Sequence, residues 1–299
     1  MRLAIEPSGI CMAIIDSASN RIWEGPIVIA PVVDLDWWKE HRADVVLTDV
    51  RWYLDGRSGR QAYESGHLPG AVFVDLDRWL ADESSETAGR HPLPTPEVFA
   101  AGMSQLGIAN NQTVVAYDDA GGVIAARLVW MLRALGQDAT LLDGGLQAFD
   151  GPLETGALSP TPVVFRPSPW PTDRIADIHD ASDRQNLVID ARSRERYEGG
   201  YDPIDPRPGH IPGAKNVPCR ENLAADGRFL PVAEIRKRFL DAGVESGAAV
   251  ISYCGSGVTA CHNLLALEYV GLGRGRLYPG SWSQYGHALD RPAATGIEL

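Results

Sequence analysis

Gly66-His67-Leu68-Pro69-Gly70-Ala71 returns later in the chain as Gly209-His210-Ile211-Pro212-Gly213-Ala214. Each copy reads as a tight turn, because proline presets φ and removes a donor while glycine opens backbone conformations closed to other residues. A buried-strand pattern ending in aspartate stands ahead of each: Val45-Val46-Leu47-Thr48-Asp49 before the first, Leu187-Val188-Ile189-Asp190 before the second. Further on, Tyr117 is answered by Tyr253 and Gly144 by Gly280, at one common spacing. A unit that recurs with its turn, strand ends and spacing intact is one domain present twice.

Inside the first copy the pattern predicts strands at 45–50, 72–74, 113–117 and 139–142, and helices at 96–106 and 123–135 that stop at Gly107 and Gly136. Short strands alternating with helices predict an α/β fold, a parallel sheet with helices on both faces, built once per copy. The expected division is an N-terminal extension at 1–26, a first domain at 27–149, a linker at 150–173 and a second domain at 174–299. Pro152, Pro160, Pro162, Pro167, Pro169 and Pro171 fall in that linker without helical periodicity, so it is expected to be semi-rigid and draped over the surface.

The chain has 299 residues, enough for two cores, and a net charge of −12 that disfavours nucleic acid and anionic membranes. The apolar segment from Ile10 to Ile15 is too short to cross a bilayer and lacks the layout of a secretory signal. Cys11, Cys219, Cys254 and Cys261 neither make a disulfide framework nor have zinc-ligand spacing, so no metal is expected, and a reducing, cytoplasmic setting fits best.

The chemistry concentrates in Val250-Ile251-Ser252-Tyr253-Cys254-Gly255-Ser256-Gly257-Val258-Thr259-Ala260. A buried strand ends in a thiol, and a glycine-punctuated loop leads into an apolar helix that stops at Gly271. Loop and helix N–H groups turned back on the sulfur would stabilise negative charge, and the thiolate is the reactive form of cysteine. The first copy has Asp118 after Tyr117 where the second has Cys254. One copy is therefore expected to keep the chemistry and the other to form the far wall of a cleft.

Taken together, the paired turns, Asp190-Ala191-Arg192 followed by Arg196-Tyr197, the loop from Cys254 to Thr259 and the closing Tyr278-Pro279-Gly280-Ser281-Trp282 resemble the two-domain rhodanese family over Ile27 to Thr295. The resemblance implies two tandem rhodanese-like domains with a sulfur-transfer site between them. Cys254 would take sulfur from a small-molecule donor as a persulfide and pass it to cyanide or to a thiol acceptor such as thioredoxin, with no cofactor. The neutral loop Cys-Gly-Ser-Gly-Val-Thr and the segment Asp205-Pro206-Arg207-Pro208-Gly209 are similar to the branch that uses 3-mercaptopyruvate. Thiosulfate-preferring members carry basic residues after the cysteine, and thiosulfate is the alternative donor.

By the same likeness Arg196 and Arg207 would bind the donor carboxylate and carbonyl, while Gly255, Gly257, Val258 and Thr259 would wrap the sulfur. Arg192 is assigned to structure, pairing near Asp190. His67 is expected across the cleft, moving a proton with Ser256 during C–S cleavage, and His210 to satisfy backbone carbonyls. Relatives place an aspartate shortly before that first histidine, where this chain has Ser58, which leaves Asp55 or Glu64 as the orienting carboxylate. A dual-specificity phosphatase loop would close on arginine, and Ala260 stands there instead. The non-enzymatic alternative is a sulfur-carrier module without turnover.

Overall fold

The computed structural model describes residues 29–201 and 203–297. The expected extension at 1–26 lies outside them. The first domain runs β1 (Val32–Val33), α1 (Leu35–His41), β2 (Val45–Asp49), α2 (Gly59–Ser65), β3 (Val72–Phe73), α3 (Pro96–Gln105), β4 (Thr113–Tyr117), α4 (Ala126–Ala134) and β5 (Ala139–Leu142). The second runs α5 (Ile178–Ser182), β6 (Leu187–Asp190), α6 (Arg194–Glu198), β7 (Lys215–Asn216), α7 (Val232–Asp241), β8 (Val250–Tyr253), α8 (Ala260–Tyr269), β9 (Arg276–Leu277) and α9 (Ser281–Tyr285). Among the described residues both sheets are wholly parallel, in the orders β1-β5-β4-β2-β3 and β7-β6-β8-β9. Parallel strands are covered on both faces, which is why β4 and β8 read as near-continuous apolar runs, interrupted only by Thr113 and Ser252, rather than alternating ones.

The sequence repeat has an atomic basis. Arg51 donates to Asp49 and to the Gly66 carbonyl, each at 2.7 Å, and Arg192 repeats this on Asp190 and the Gly209 carbonyl at the same distances. The Tyr117 hydroxyl accepts from the Leu68 N–H at 3.0 Å, and the Tyr253 hydroxyl from the Ile211 N–H at 3.2 Å. All four of these side chains are buried. A buried Asp–Arg pair without the turn carbonyl, or a buried turn without the tyrosine, would leave polar groups unpaired, so the residues recur as a set.

The domains share one core. Leu128, Val129 and Leu132 of α4 join Leu264 and Leu265 of α8 in a single buried cluster. Arg133 pairs with Glu268 between the same two helices, and Arg274 joins the carboxylate at 2.7 Å. The proline-rich linker is fastened over α3: the Phe165 N–H donates to the Ser104 hydroxyl at 2.9 Å and Trp170 Nε1 to the Pro94 carbonyl at 2.7 Å. Phe165 and Trp170 both pack on Phe99. Among the described residues no helix is long and apolar enough to cross a membrane.

Candidate active site

β8 delivers Cys254 to the seam between the domains, and the sulfur is almost wholly buried, with the residue 2 % exposed. The Gly257 N–H donates to Cys254 Sγ at 3.1 Å. The loop is clamped to the start of α9: the Trp282 N–H donates to the Cys254 carbonyl at 3.0 Å and the Ser283 N–H to that of Gly255 at 2.8 Å. Gly257 has φ +78°, and a Cβ there would stand 2.5 Å from the Pro279 carbonyl oxygen, so only glycine fits.

The corresponding loop of the first domain has filled itself. Asp118 is fully buried, and its carboxylate accepts from the N–H groups of Ala120, Gly122 and Ile124 at 2.7 Å and of Ala125 at 2.9 Å. The amides that could hold a foreign anion hold this side chain, which also explains why α4 starts at Ala126 rather than at the predicted 123. We expect Asp118→Ala, which strands four loop N–H donors, three of them buried, to cost about 3 kcal/mol in urea denaturation while leaving the rate of sulfur transfer within about threefold. A stable variant with impaired transfer would refute the structural assignment.

Ser256, 6 % exposed, meets the first domain directly. Its hydroxyl is 2.8 Å from His91 Nδ1, and His91 Nε2 lies 3.4 Å from Asp77 Oδ1. Since the carboxylate can only accept, Nε2 carries the proton and Nδ1 accepts from the serine. Trp52 Nε1 donates to the other Asp77 oxygen at 2.9 Å, and its indole meets the His91 ring edge-on. Burial lowers the His91 pKa against the pull of Asp77, so the imidazole is neutral at pH 7. The hydrogen bond from His91 in turn holds Asp77 below its ordinary value. Asp77 sits on a single π-helical turn, Leu76–Leu80, capped by Asp75.

A rhodanese-like domain model matches residues 34–151 and again 174–288. The chain belongs to the rhodanese family. It is 41% identical over 85% of its length to a Pseudomonas aeruginosa protein named "Probable 3-mercaptopyruvate sulfurtransferase", covering 93% of that protein. It is 34% identical over 88% of its length to thiosulfate/3-mercaptopyruvate sulfurtransferase 2 of Arabidopsis thaliana, covering 86% of it. The solved 3-mercaptopyruvate sulfurtransferase from Leishmania major superposes with a TM-score of 0.81 at 32% identity, over 88% of this chain and 76% of that one. The protein is thus a tandem-domain sulfurtransferase similar to those that act on 3-mercaptopyruvate.

In this rhodanese-family sulfurtransferase the residues named from sequence fall into two groups. Cys254, Gly255, Ser256, Gly257, Val258 and Thr259 form the loop as expected, with Val258 packed in the core and Thr259 starting α8. Arg196 is held by Asp205 at 3.0 Å, and its Nη2 lies 3.0 Å from the point a Gly255 Cβ would occupy. Arg207 is turned elsewhere: its Nη2 donates to the Arg291 carbonyl at 2.9 Å and reaches those of Tyr285 and Ala288 at 3.4 Å. The guanidinium that stands over Gly255 beside Arg196 is Arg90 of the first domain, 3.2 Å from the same point.

His67 is not the histidine on Ser256. Its Nδ1 lies 2.9 Å from the Tyr63 carbonyl, its ring stacks on Tyr63, and its backbone pairs with Glu154. His210 repeats each feature with Tyr197 and Ala294. Both imidazoles therefore brace their own Gly-His-(Leu/Ile)-Pro-Gly-Ala turn. Ser58, which occupies the position where relatives place the orienting aspartate, caps α2 by accepting from the Gln61 N–H at 3.2 Å. Asp55 pairs with Arg57 and Glu64 with Arg60, while the carboxylate facing His67 Nε2 is that of Glu154, 3.9 Å away. Arg192 pairs with Asp190 as expected.

Proposed function

We propose that this sulfurtransferase draws its sulfur from 3-mercaptopyruvate and carries it as a Cys254 persulfide. The Cys254 thiolate attacks the donor's thiol sulfur; an S–S bond forms, the C–S bond breaks, and its electron pair leaves on C3 as the pyruvate enolate. The proton lost from the donor thiol ends on C3, so pyruvate departs with no net proton change. Ser256 and His91, with Asp77 behind them, supply a path for that proton. A thiol or cyanide then attacks the outer sulfur and releases the Cys254 thiolate.

The observation that carries this reading is the Ser256–His91 contact beside Cys254. Thiosulfate releases sulfite as an anion and needs no proton delivered to carbon, whereas an enolate does. Arg196 and Arg90 over Gly255 suit the donor's carboxylate. The same two guanidinium groups give a second reading some support, since a dianion such as thiosulfate gains from both. The acceptor we propose is a small thiol or a thioredoxin-type dithiol.

The test is pyruvate release from 3-mercaptopyruvate set against thiocyanate formation from thiosulfate and cyanide, on one preparation. We expect kcat/KM to favour 3-mercaptopyruvate by at least about tenfold, equivalent to about 1.4 kcal/mol in the transition state. A preference for thiosulfate overturns the assignment.

A further inference from the structure

Arg127 is the first helical turn's contribution from α4, and it is completely buried. Its Nη1 donates to the Gly257 carbonyl at 2.9 Å, crossing from the first domain into the cysteine loop. Nε donates to the Leu80 carbonyl at 3.2 Å, at the end of the turn that carries Asp77. Nη2 donates to the carbonyls of His91 at 3.1 Å and Pro92 at 3.3 Å. Among the described residues no carboxylate pairs with it. Burying a guanidinium with only neutral acceptors is costly, and the cost is offset when an anion forms nearby.

We infer that Arg127 is the fixed counter-charge of the Cys254 thiolate and persulfide, and that through its carbonyl contacts it also positions His91 against Ser256. Gly257 is the joint: its N–H donates to Cys254 Sγ while its carbonyl accepts from Arg127. Burial pulls the Arg127 pKa below its ordinary value, and the groups that oppose the fall are the Cys261 and Cys254 sulfurs. Of these Cys261 is a poor anion, its thiol pushed up to about 12 mainly by burial, and Cys219 on the other side is pushed up to about 12 in the same way. Among the described residues, the other charged or titratable groups set against the loop include Arg196 and Arg90 at Gly255 and His91 at Ser256.

The internal repeat supplies an independent comparison. Gly122 and Gly136 bracket the first of the two buried helices just as Gly257 and Gly271 bracket the second, which makes His262 the counterpart of Arg127. His262 lies beside Gly121 in the loop of the first domain, and burial, with Arg220 adding to it, drives its pKa down to about 3, so it is neutral. A cation thus stands against the loop that carries the thiol, and a neutral ring against the loop whose anion is already held by four amides.

This role rests on Cys254 being the sulfur carrier, but its test needs no turnover: the rate of Cys254 alkylation by iodoacetamide across pH, followed by peptide mass spectrometry. In Arg127→Met and Arg127→Gln we expect alkylation at pH 7 to fall about tenfold and the deficit to close as the pH is raised, because only the thiolate fraction has changed. Arg127→Lys, which keeps the charge, should stay within about threefold of wild type at pH 7. Arg127→Gln retains donors for the carbonyls, so it reports on charge if Arg127→Met does not fold. A folded Gln or Met variant with an unmoved profile overturns the proposal, and so does a Lys variant displaced as far as tenfold.

Discussion

Cys254→Ser should fold and melt like the wild type and lose sulfur transfer from either donor by about 10⁴-fold or more, since the side chain that forms the covalent intermediate is gone. The substitution is nearly isosteric and sits in a loop held by backbone bonds from Trp282 and Ser283, so the fold has little reason to change. After treatment with donor alone, intact-protein and peptide mass spectrometry of the wild type should find one added sulfur atom, on the Cys254 peptide. Cys219 and Cys261 are poor candidates to share it. Both are buried, and burial holds both thiols at about 12, where almost no thiolate exists at neutral pH. Residual turnover by Cys254→Ser, or sulfur on the peptide of any other cysteine, would show that a second thiol carries the reaction.

The second large effect separates two buried histidines, His91 and His67. His91→Ala should lower kcat/KM for 3-mercaptopyruvate by about 10²–10⁴-fold, the usual range for a positioned proton-transfer group, and leave thiosulfate turnover within a few-fold. His67→Ala should do neither. It removes a buried ring stacked on Tyr63 and one hydrogen bond, so it should instead cost about 1–3 kcal/mol of stability in urea. The pH profile gives a further readout. Burial holds His91 below the ordinary imidazole value of about 6.5, so the neutral form persists as pH falls through 6.5 and the acid limb of kcat/KM lies lower still. The same shift lets the unfolded chain bind more protons than the folded one. Stability therefore falls as pH drops from about 6.5 towards the folded value, and His91→Ala should lose that slope. Equal losses on both donors in His91→Ala, or a chemical defect in His67→Ala, would move the relay back to the sequence-based assignment.

The structure sets a different histidine from the expected one against Ser256, and there is a physical reason. His67 lies in a turn whose glycines, proline and repetition make it conspicuous, and the conspicuous features are structural: they serve the Arg51–Asp49 brace and the Tyr117 hydroxyl. His91 and Arg90 lie in an irregular stretch between the π-helical turn and α3, where no periodicity marks a side chain as facing anything. Their one visible signal is an adjacent cation and imidazole, Arg90-His91, followed by Pro92-Leu93-Pro94 rather than by a helix. Arg207 shows the converse. Its place in the chain resembles a donor-binding position, yet its Nη2 is committed to three backbone carbonyls.

Much that depends on local order could be read directly from the chain: the two copies, the parallel α/β class, β4 and β8, the helix stops, and the loop from Cys254 to Thr259 with Asp118 as its counterpart. Strand burial, turn chemistry and loop glycines act over a few residues, so their pattern survives in one dimension. The approach of Asp77, His91, Arg90 and Arg127 to Cys254 was decided only by the docking of α4 on α8. That docking is driven by apolar burial, which carries no record of which polar side chains it brings along.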